Sequence, residues 1–267
     1  MRAAEHRLAA RLQRWPRLYR LARSARTALG NRLPVRELPG LGPVHPNDPM
    51  LAGHGPGAVD QYRRAGAHAA ELCAAALAAD DRGSAPGTIL DLGCGHGRCL
   101  RFLRRRWPDA RLVAADVDAA AVRFCAQTFD TEGVVLPTDR RQVPPGPFDL
   151  VWVGSRFTHL PLDAAGTLLA AIRAELGPAG VAVVTTHALY TVDNLVVAPD
   201  ERRAVVAALG RDGFAFKAYR GEISYGLAWF EPARFRALAE AVGLRVLQQK
   251  DRTWVGFQDV WVLDLPA

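Results

Sequence analysis

Between residues 88 and 98 an apolar run (Ile89, Leu90, Leu92) breaks into glycines at 93, 95 and 97, and a segment rich in arginine and leucine follows without a gap. Strand, tight turn and helix in immediate succession are what a doubly wound α/β sheet uses to open a nucleotide-type binding site. Glycine allows the sharp turn and lets a ligand lie against the main chain. The unpaired N–H groups that begin the next helix then face an anionic group. The spacing is G-x-G-x-G, whereas the dinucleotide fingerprint needs its third glycine where Arg98 stands. A second apolar run, Arg111 to Asp116, ends in a carboxylate about twenty residues after the turn, the position from which such folds bond a ribose hydroxyl.

The alternation continues in order. The patterning predicts strands at 88–92, 111–115, 133–136, 148–153 and 181–186, with helices at 98–106, 118–128 and 162–176. This β-α rhythm implies a mostly parallel sheet covered on both faces. It lapses over 187–230, where a helix at 200–209 precedes an aromatic cluster of Phe214, Phe216, Tyr219, Tyr225, Trp229 and Phe230. A helix at 232–242, with Pro232 in its first turn, leads to strand-like runs at 244–249 and 253–265.

Upstream, Leu8, Leu12, Trp15 and Tyr19 share one face of an expected helix over 1–30, which Pro16 would kink. Residues 31–57 are rich in Pro and Gly and read as an irregular connection holding the turn formers His45 to Met50, with His45 and His54 within reach of the site if the segment forms a lid. A helix follows at 58–79. The expected division is therefore 1–57, a basic helical arm and its connection, and 58–267, the α/β domain.

The formal charge of +7 is unevenly placed. Residues 1–36 hold ten arginines against one acid, and the rest of the chain carries 24 basic and 26 acidic groups. The basicity belongs to the arm, so it does not argue that the body binds nucleic acid. For the arm three readings stand: a solvated helix packed on the body, an anchor on an anionic membrane surface or acidic partner, and an arginine-rich presequence. No apolar run approaches the roughly 18 residues of a membrane span. Cys73, Cys94, Cys99 and Cys125 include no C-x-x-C pair, consistent with reduced thiols and a cytoplasmic protein.

Asp91-Leu-Gly-Cys-Gly-His-Gly97 resembles the first motif of the class I S-adenosylmethionine-dependent methyltransferases. Four later stretches are similar to that family in order: Val113 to Asp118, Leu136 to Asp139, Phe148 to Ser155 with Phe157 to Leu160, and Leu176 to Val184, where Ala179 replaces a usual glycine. The resemblance implies a seven-stranded, mostly parallel doubly wound sheet with a final antiparallel hairpin, here with an N-terminal helical extension. It implies S-adenosyl-L-methionine as cofactor and S-adenosyl-L-homocysteine as product. It assigns the methionine end to the backbone of Gly93, Cys94, Gly95 and Gly97, and the ribose to Asp116 with Val117 beside it. It assigns the adenine edge to Asp139 and the N–H of Arg140, and the turn or the cofactor's amino group to Asp91. Ser155 lies in the loop after the fourth strand, and Tyr62 with Gly66 resembles a Y-x-x-x-G near the cofactor carboxylate.

Methyl transfer asks for orientation, and for proton removal where the acceptor is a hydroxyl or ammonium. His159 and His187 stand at the carboxyl ends of the fourth and fifth strands and suit that task; the alternative for either is a helix cap or a bond to a backbone carbonyl. The main expectation is O-methylation of a small or glycosylated metabolite, in loose resemblance to bacterial glycan and natural-product methyltransferases, with the aromatics of 214–230 lining the acceptor pocket or, for Phe214 and Phe216 first, packing as ordinary core. N- or C-methylation and a non-catalytic binding module are the alternatives. Metal dependence is not indicated, since no Asp/Asn cluster follows the fifth strand. Nucleic-acid acceptors are disfavoured, because Gly154-Ser-Arg-Phe157 is not the [DNS]-P-P-[YFW] loop of nucleobase amino-methylation. Acceptor identity and oligomeric state are not legible.

Overall fold

The computed structural model describes residues 36–51, 57–79, 85–196 and 198–266. The expected helix over 1–30 and His54 lie outside them. Seven strands form the main sheet: β3 (Thr88–Leu92), β4 (Arg111–Asp116), β5 (Glu132–Val135), β6 (Phe148–Val153), β7 (Leu176–Thr186), β10 (Arg245–Trp254) and β11 (Gln258–Asp264). Their order is β10-β11-β7-β6-β3-β4-β5. β7, β6, β3, β4 and β5 run parallel, and β11 is antiparallel to both its neighbours, β7 and β10. The order reverses between β3 and β6, and this switch point opens a crevice at the carboxyl ends of the strands.

The central strands are continuous apolar runs because helices cover both faces. Helices α1 (Ala58–Ala78), α2 (Leu100–Arg106) and α3 (Ala119–Phe129) pack on one face through Ala69, Cys73, Leu100, Leu103, Val122 and Cys125. Helices α4 (Leu162–Glu175) and α7 (Pro232–Ala241) pack on the other through Leu168, Leu169, Ile172, Phe235 and Ala239. Asp149 registers β6 against β3: its Oδ2 accepts from the N–H groups of Gly87 and Thr88, each at 2.9 Å.

Two hairpins were not legible in the patterning. β1 (Arg36–Leu38) and β2 (Gly42–Val44) pair antiparallel inside the stretch expected to be irregular, and Leu41 and Val44 bury against Tyr62 of α1. β8 (Phe214–Ala218) and β9 (Gly226–Phe230) pair antiparallel across the aromatic cluster. With α5 (Val192–Leu195) and α6 (Pro199–Asp212) they enclose a small core of Val192, Val196, Val205, Leu209, Ala215 and Trp229 above the carboxyl end of β7. Trp229, 0% exposed, belongs to this core and Phe230, 1% exposed, to the main core, so neither lines a pocket. β7 also begins five residues earlier than expected, at Leu176, pairing with Phe148 of β6. No helix among the described residues is long and apolar enough to cross a membrane.

Candidate cofactor and acceptor site

The turn after β3 is held from both sides. The N–H groups of Gly93 and Cys94 donate to the carbonyl of Ala115 in β4, at 2.7 and 3.2 Å. Gly93, Gly95 and Gly97 all take positive φ, at 92°, 50° and 80°. A Cβ on Gly95 would meet nothing within 4 Å, so the loop presents bare backbone to the crevice, whereas one on Gly97 would stand 2.5 Å from the Phe129 ring. The Cys125 thiol donates to the Gly95 carbonyl at 3.3 Å, and the hydrogen bond with Cys125, then burial, raises the pKa of Cys94 well above its ordinary value.

Asp116 closes β4 beside this loop. Its Oδ2 accepts from the Gly95 N–H at 2.9 Å and its Oδ1 from the Asp118 N–H at 3.0 Å. A carboxylate has about four acceptor sites, so capacity for two hydroxyls remains. Val117 follows, partly buried against the main core. Asp91 is 2% exposed and its Oδ2 has no hydrogen-bond partner. Burial, then the charge of Asp116, lifts its pKa to about 7.

Tyr62 and Gly66 have structural work of their own. The Tyr62 hydroxyl donates to Asp48 at 2.7 Å and accepts from Arg101 at 3.2 Å. Gly66 is the point where α1 crosses the segment after the glycine loop: a Cβ there would stand 2.3 Å from the Arg98 carbonyl oxygen. Its conformation serves that crossing. Buried Arg101 ties the upstream segment to the loop, donating to the carbonyls of Gly97 (2.9 Å), Leu41 (3.0 Å) and Pro43 (2.9 Å). His45 then stacks on His96 of the glycine loop with centroids 4.6 Å apart. Neither Arg101 nor Asp48 was singled out from sequence; the helical position of Arg101, among Leu100 and Leu103, was the available signal.

The Asp139 carboxylate caps its own turn, accepting from the Arg141 N–H at 3.1 Å. The Arg140 N–H donates to the Pro137 carbonyl at 3.2 Å, so it is engaged within the turn and not presented to the crevice as expected. The Arg140 guanidinium instead stacks over Tyr225, 4.1 Å from its ring centroid.

Ser155, at φ 59°, belongs to a hydrogen-bonded chain across three strands. Its N–H donates to Thr185 Oγ1 (2.8 Å), Thr185 donates to Gln258 Oε1 (2.6 Å), and Gln258 Nε2 donates back to Ser155 Oγ (2.8 Å). The next residue, Arg156, is buried at 8% exposed, with Nε and Nη2 lacking any partner. Its side chain passes over the loop, 3.9 Å from where a Gly93 Cβ would sit.

The two histidines differ. His159 is half-buried and its Nδ1 lies 2.7 Å from the Gly226 carbonyl, which requires Nδ1–H and leaves Nε2 with a free lone pair. Tyr225 lies 5.1 Å from it, ring to ring. Burial lowers its pKa. His187 is 3% exposed, with Nδ1 unpartnered, and burial drives its pKa down to about 3. It packs near Trp229 and Phe257.

Residues 89–180 match the family described as "Methyltransferase domain". The trans-aconitate 2-methyltransferase of Azoarcus sp. (strain BH72) is 34% identical over 97 residues, covering 36% of this chain and 38% of that protein. Ribosomal RNA small subunit methyltransferase C of Serratia proteamaculans (strain 568) is 28% identical over 144 residues, covering 52% of this chain and 40% of that one. The chain thus spans about two fifths of these curated relatives. An S-adenosylmethionine-dependent methyltransferase from Clostridium acetobutylicum ATCC 824 superposes with a TM-score of 0.54 at 12% identity, over 77% of this chain and 92% of that one.

Proposed function

We propose that this chain, which has the class I S-adenosylmethionine-dependent methyltransferase fold, transfers a methyl group to an oxygen of a small-molecule or glycosylated acceptor. The observation that carries the reading is Asp116, bonded to the N–H of Gly95, where an added Cβ would meet nothing within 4 Å. The family's cofactor, S-adenosyl-L-methionine, supplies a sulfonium-activated methyl group for in-line displacement. The residues suit it in two places. Asp116 has acceptor capacity for the two ribose hydroxyls, and the orphaned Oδ2 of Asp91 suits an ammonium. Both would hold the cofactor across the switch point, with the bare backbone at Gly95 beneath its methionine end.

The remaining task is the acceptor's proton. With Nδ1–H fixed on the Gly226 carbonyl, His159 can take a proton at Nε2, and the growing positive charge is stabilised by that same carbonyl. His187 is buried, and a pKa near 3 makes it a poor base at neutral pH, so its part is to fill the floor beneath β9.

An RNA acceptor is the competing reading, which the Serratia relative's name raises. The body's near balance of basic and acidic residues speaks against a phosphate-tracking surface. Calorimetric titration with S-adenosyl-L-homocysteine, repeated on Asp116→Ala, tests the cofactor site: binding to wild type, lost in the variant, is expected. Incubation with methyl-labelled cofactor and a cell extract, with and without ribonuclease, tests the acceptor. Label that requires intact RNA would refute the small-molecule reading, and silent calorimetry of folded wild type would refute the transferase reading.

A further inference from the structure

Arg156 is the group this mechanism leaves unused. It stands three residues after β6, at the carboxyl end of the sheet, where open α/β sheets bind their ligands. It is 8% exposed, and its two idle donors are Nε and Nη2. Those two nitrogens form one edge of the guanidinium fork, the edge whose parallel N–H bonds match the two oxygens of a carboxylate. A buried charged donor without a partner is unfavourable enough that native structures rarely keep one without a ligand or water to complete it. Asp116 does not complete it, since neither idle nitrogen bonds to it.

The surroundings say on which side of the crevice the fork lies. Asp116, Arg140, Tyr225 and Asp139 stand around Arg156, whose side chain also lies against Gly93. Arg140 stacks on Tyr225, and Tyr225 lies beside His159.

We infer that the acceptor carries a carboxylate, and that the Nε–Nη2 edge of Arg156 binds it side-on, with Arg140 adding positive charge nearby. This rests on the methyl-transfer reading above and narrows it to anionic acceptors. The carboxylate could instead be the one on the amino-acid part of the cofactor, and the test separates the two sources.

A small-molecule extract, split on an anion exchanger at neutral pH, supplies an anionic and an unretained fraction. Each is incubated with the full chain and methyl-labelled S-adenosyl-L-methionine. Wild type should label only with the anionic fraction, and phosphatase treatment of that fraction should leave the labelling intact. Arg156→Gln should lower it roughly 10- to 100-fold, the loss expected for charge-assisted bonds, and Arg156→Lys, which keeps charge without the fork, should fall between. Thermal melting checks the fold, and if Arg156→Gln fails to fold the lysine variant carries the comparison. Calorimetry with S-adenosyl-L-homocysteine and with 5′-methylthioadenosine, which lacks the amino-acid part, should give affinities for Arg156→Gln within about 3-fold of wild type. Loss of the first alone would assign Arg156 to the cofactor's carboxylate and overturn the inference. So would label from the unretained fraction, label abolished by phosphatase, or undiminished labelling by Arg156→Gln. No label from either fraction, with S-adenosyl-L-homocysteine still bound, would overturn the transferase reading and this inference with it.

Discussion

Replacing Gly66 by alanine sets two effects against each other, and the geometry decides between them. Helix propensity favours the change by roughly 0.8–1.0 kcal/mol, because glycine in a helix interior loses more backbone entropy than alanine. Against it, the new methyl would stand 2.3 Å from the Arg98 carbonyl oxygen and 2.5 Å from Phe102 Cδ2. Unstrained carbon contacts settle near ~3.5–4.0 Å, so relief takes about 1 Å of movement. The ring could turn aside, but the carbonyl is backbone and moves only if α1 and the start of α2 separate. Overpacking of this kind costs about 1–3 kcal/mol, occasionally more. The net expectation is a loss of up to about 2 kcal/mol, which at ~2–4 °C per kcal/mol for a domain of this size lowers Tm by up to roughly 8 °C. Because Arg98 directly follows the glycine loop, affinity for S-adenosyl-L-homocysteine should fall too. Gly210→Ala is the control: it lies in α6 with nothing within 4 Å of its added Cβ, so propensity alone acts and stability should rise. Thermal melts and urea titrations of the three proteins measure both. If Gly66→Ala melts at or above wild type, alongside Gly210→Ala, the close crossing is wrong.

The acid groups make further predictions. Asp91 titrates near 7 in the folded chain but near 3.8 unfolded, so its contribution to stability is complete below about pH 4 and is lost as pH rises through about 7. Asp91→Asn should flatten that part of the stability profile. An ammonium at Asp91 would ionise it, so cofactor binding at about pH 6 should release close to one proton, seen as buffer-dependent heats and absent in Asp91→Asn. His159→Gln should lower kcat by ~100-fold or more at unchanged cofactor affinity, the usual loss for a general base, while His187→Gln should leave kcat nearly intact. His187, held near 3, contributes stability that is present above about pH 6.5 and lost as pH falls toward 3, so acid unfolding should become shallower in its variant. Arg101→Leu should release residues 41–48 from the glycine loop, read as faster proteolysis within 36–51 and weaker S-adenosyl-L-homocysteine binding.

The alternating sheet was legible because its strands are buried on both faces: Ile89 to Leu92 or Phe148 to Val153 admit no other reading beside glycine turns and helical stripes. β1–β2 and β8–β9 were not, because three- and five-residue strands among Pro, Gly and aromatic residues carry too few alternations to register. The glycine loop and Asp116 were legible as a spacing. Tyr62 and Gly66 were read toward a ligand, yet their nearest partners, Asp48, Arg101 and Arg98, come from elsewhere in the chain and could not be paired by local pattern. Nothing local in Gly154-Ser-Arg-Phe157 sets Arg156 apart, since only burial reveals that its donors are idle. The histidines looked equivalent by position; the Gly226 carbonyl, on a hairpin unseen in the sequence, separates them.

Gln258 sits on β11, which slots between β10 and β7 and reaches back to steady Ser155. During synthesis the glycine turn leaves the ribosome more than a hundred and fifty residues before that glutamine does. A nascent chain that stops short of Gln258 therefore lacks the partner of Ser155, and that wall of the crevice closes only when the last strand to be made enters the interior of the sheet.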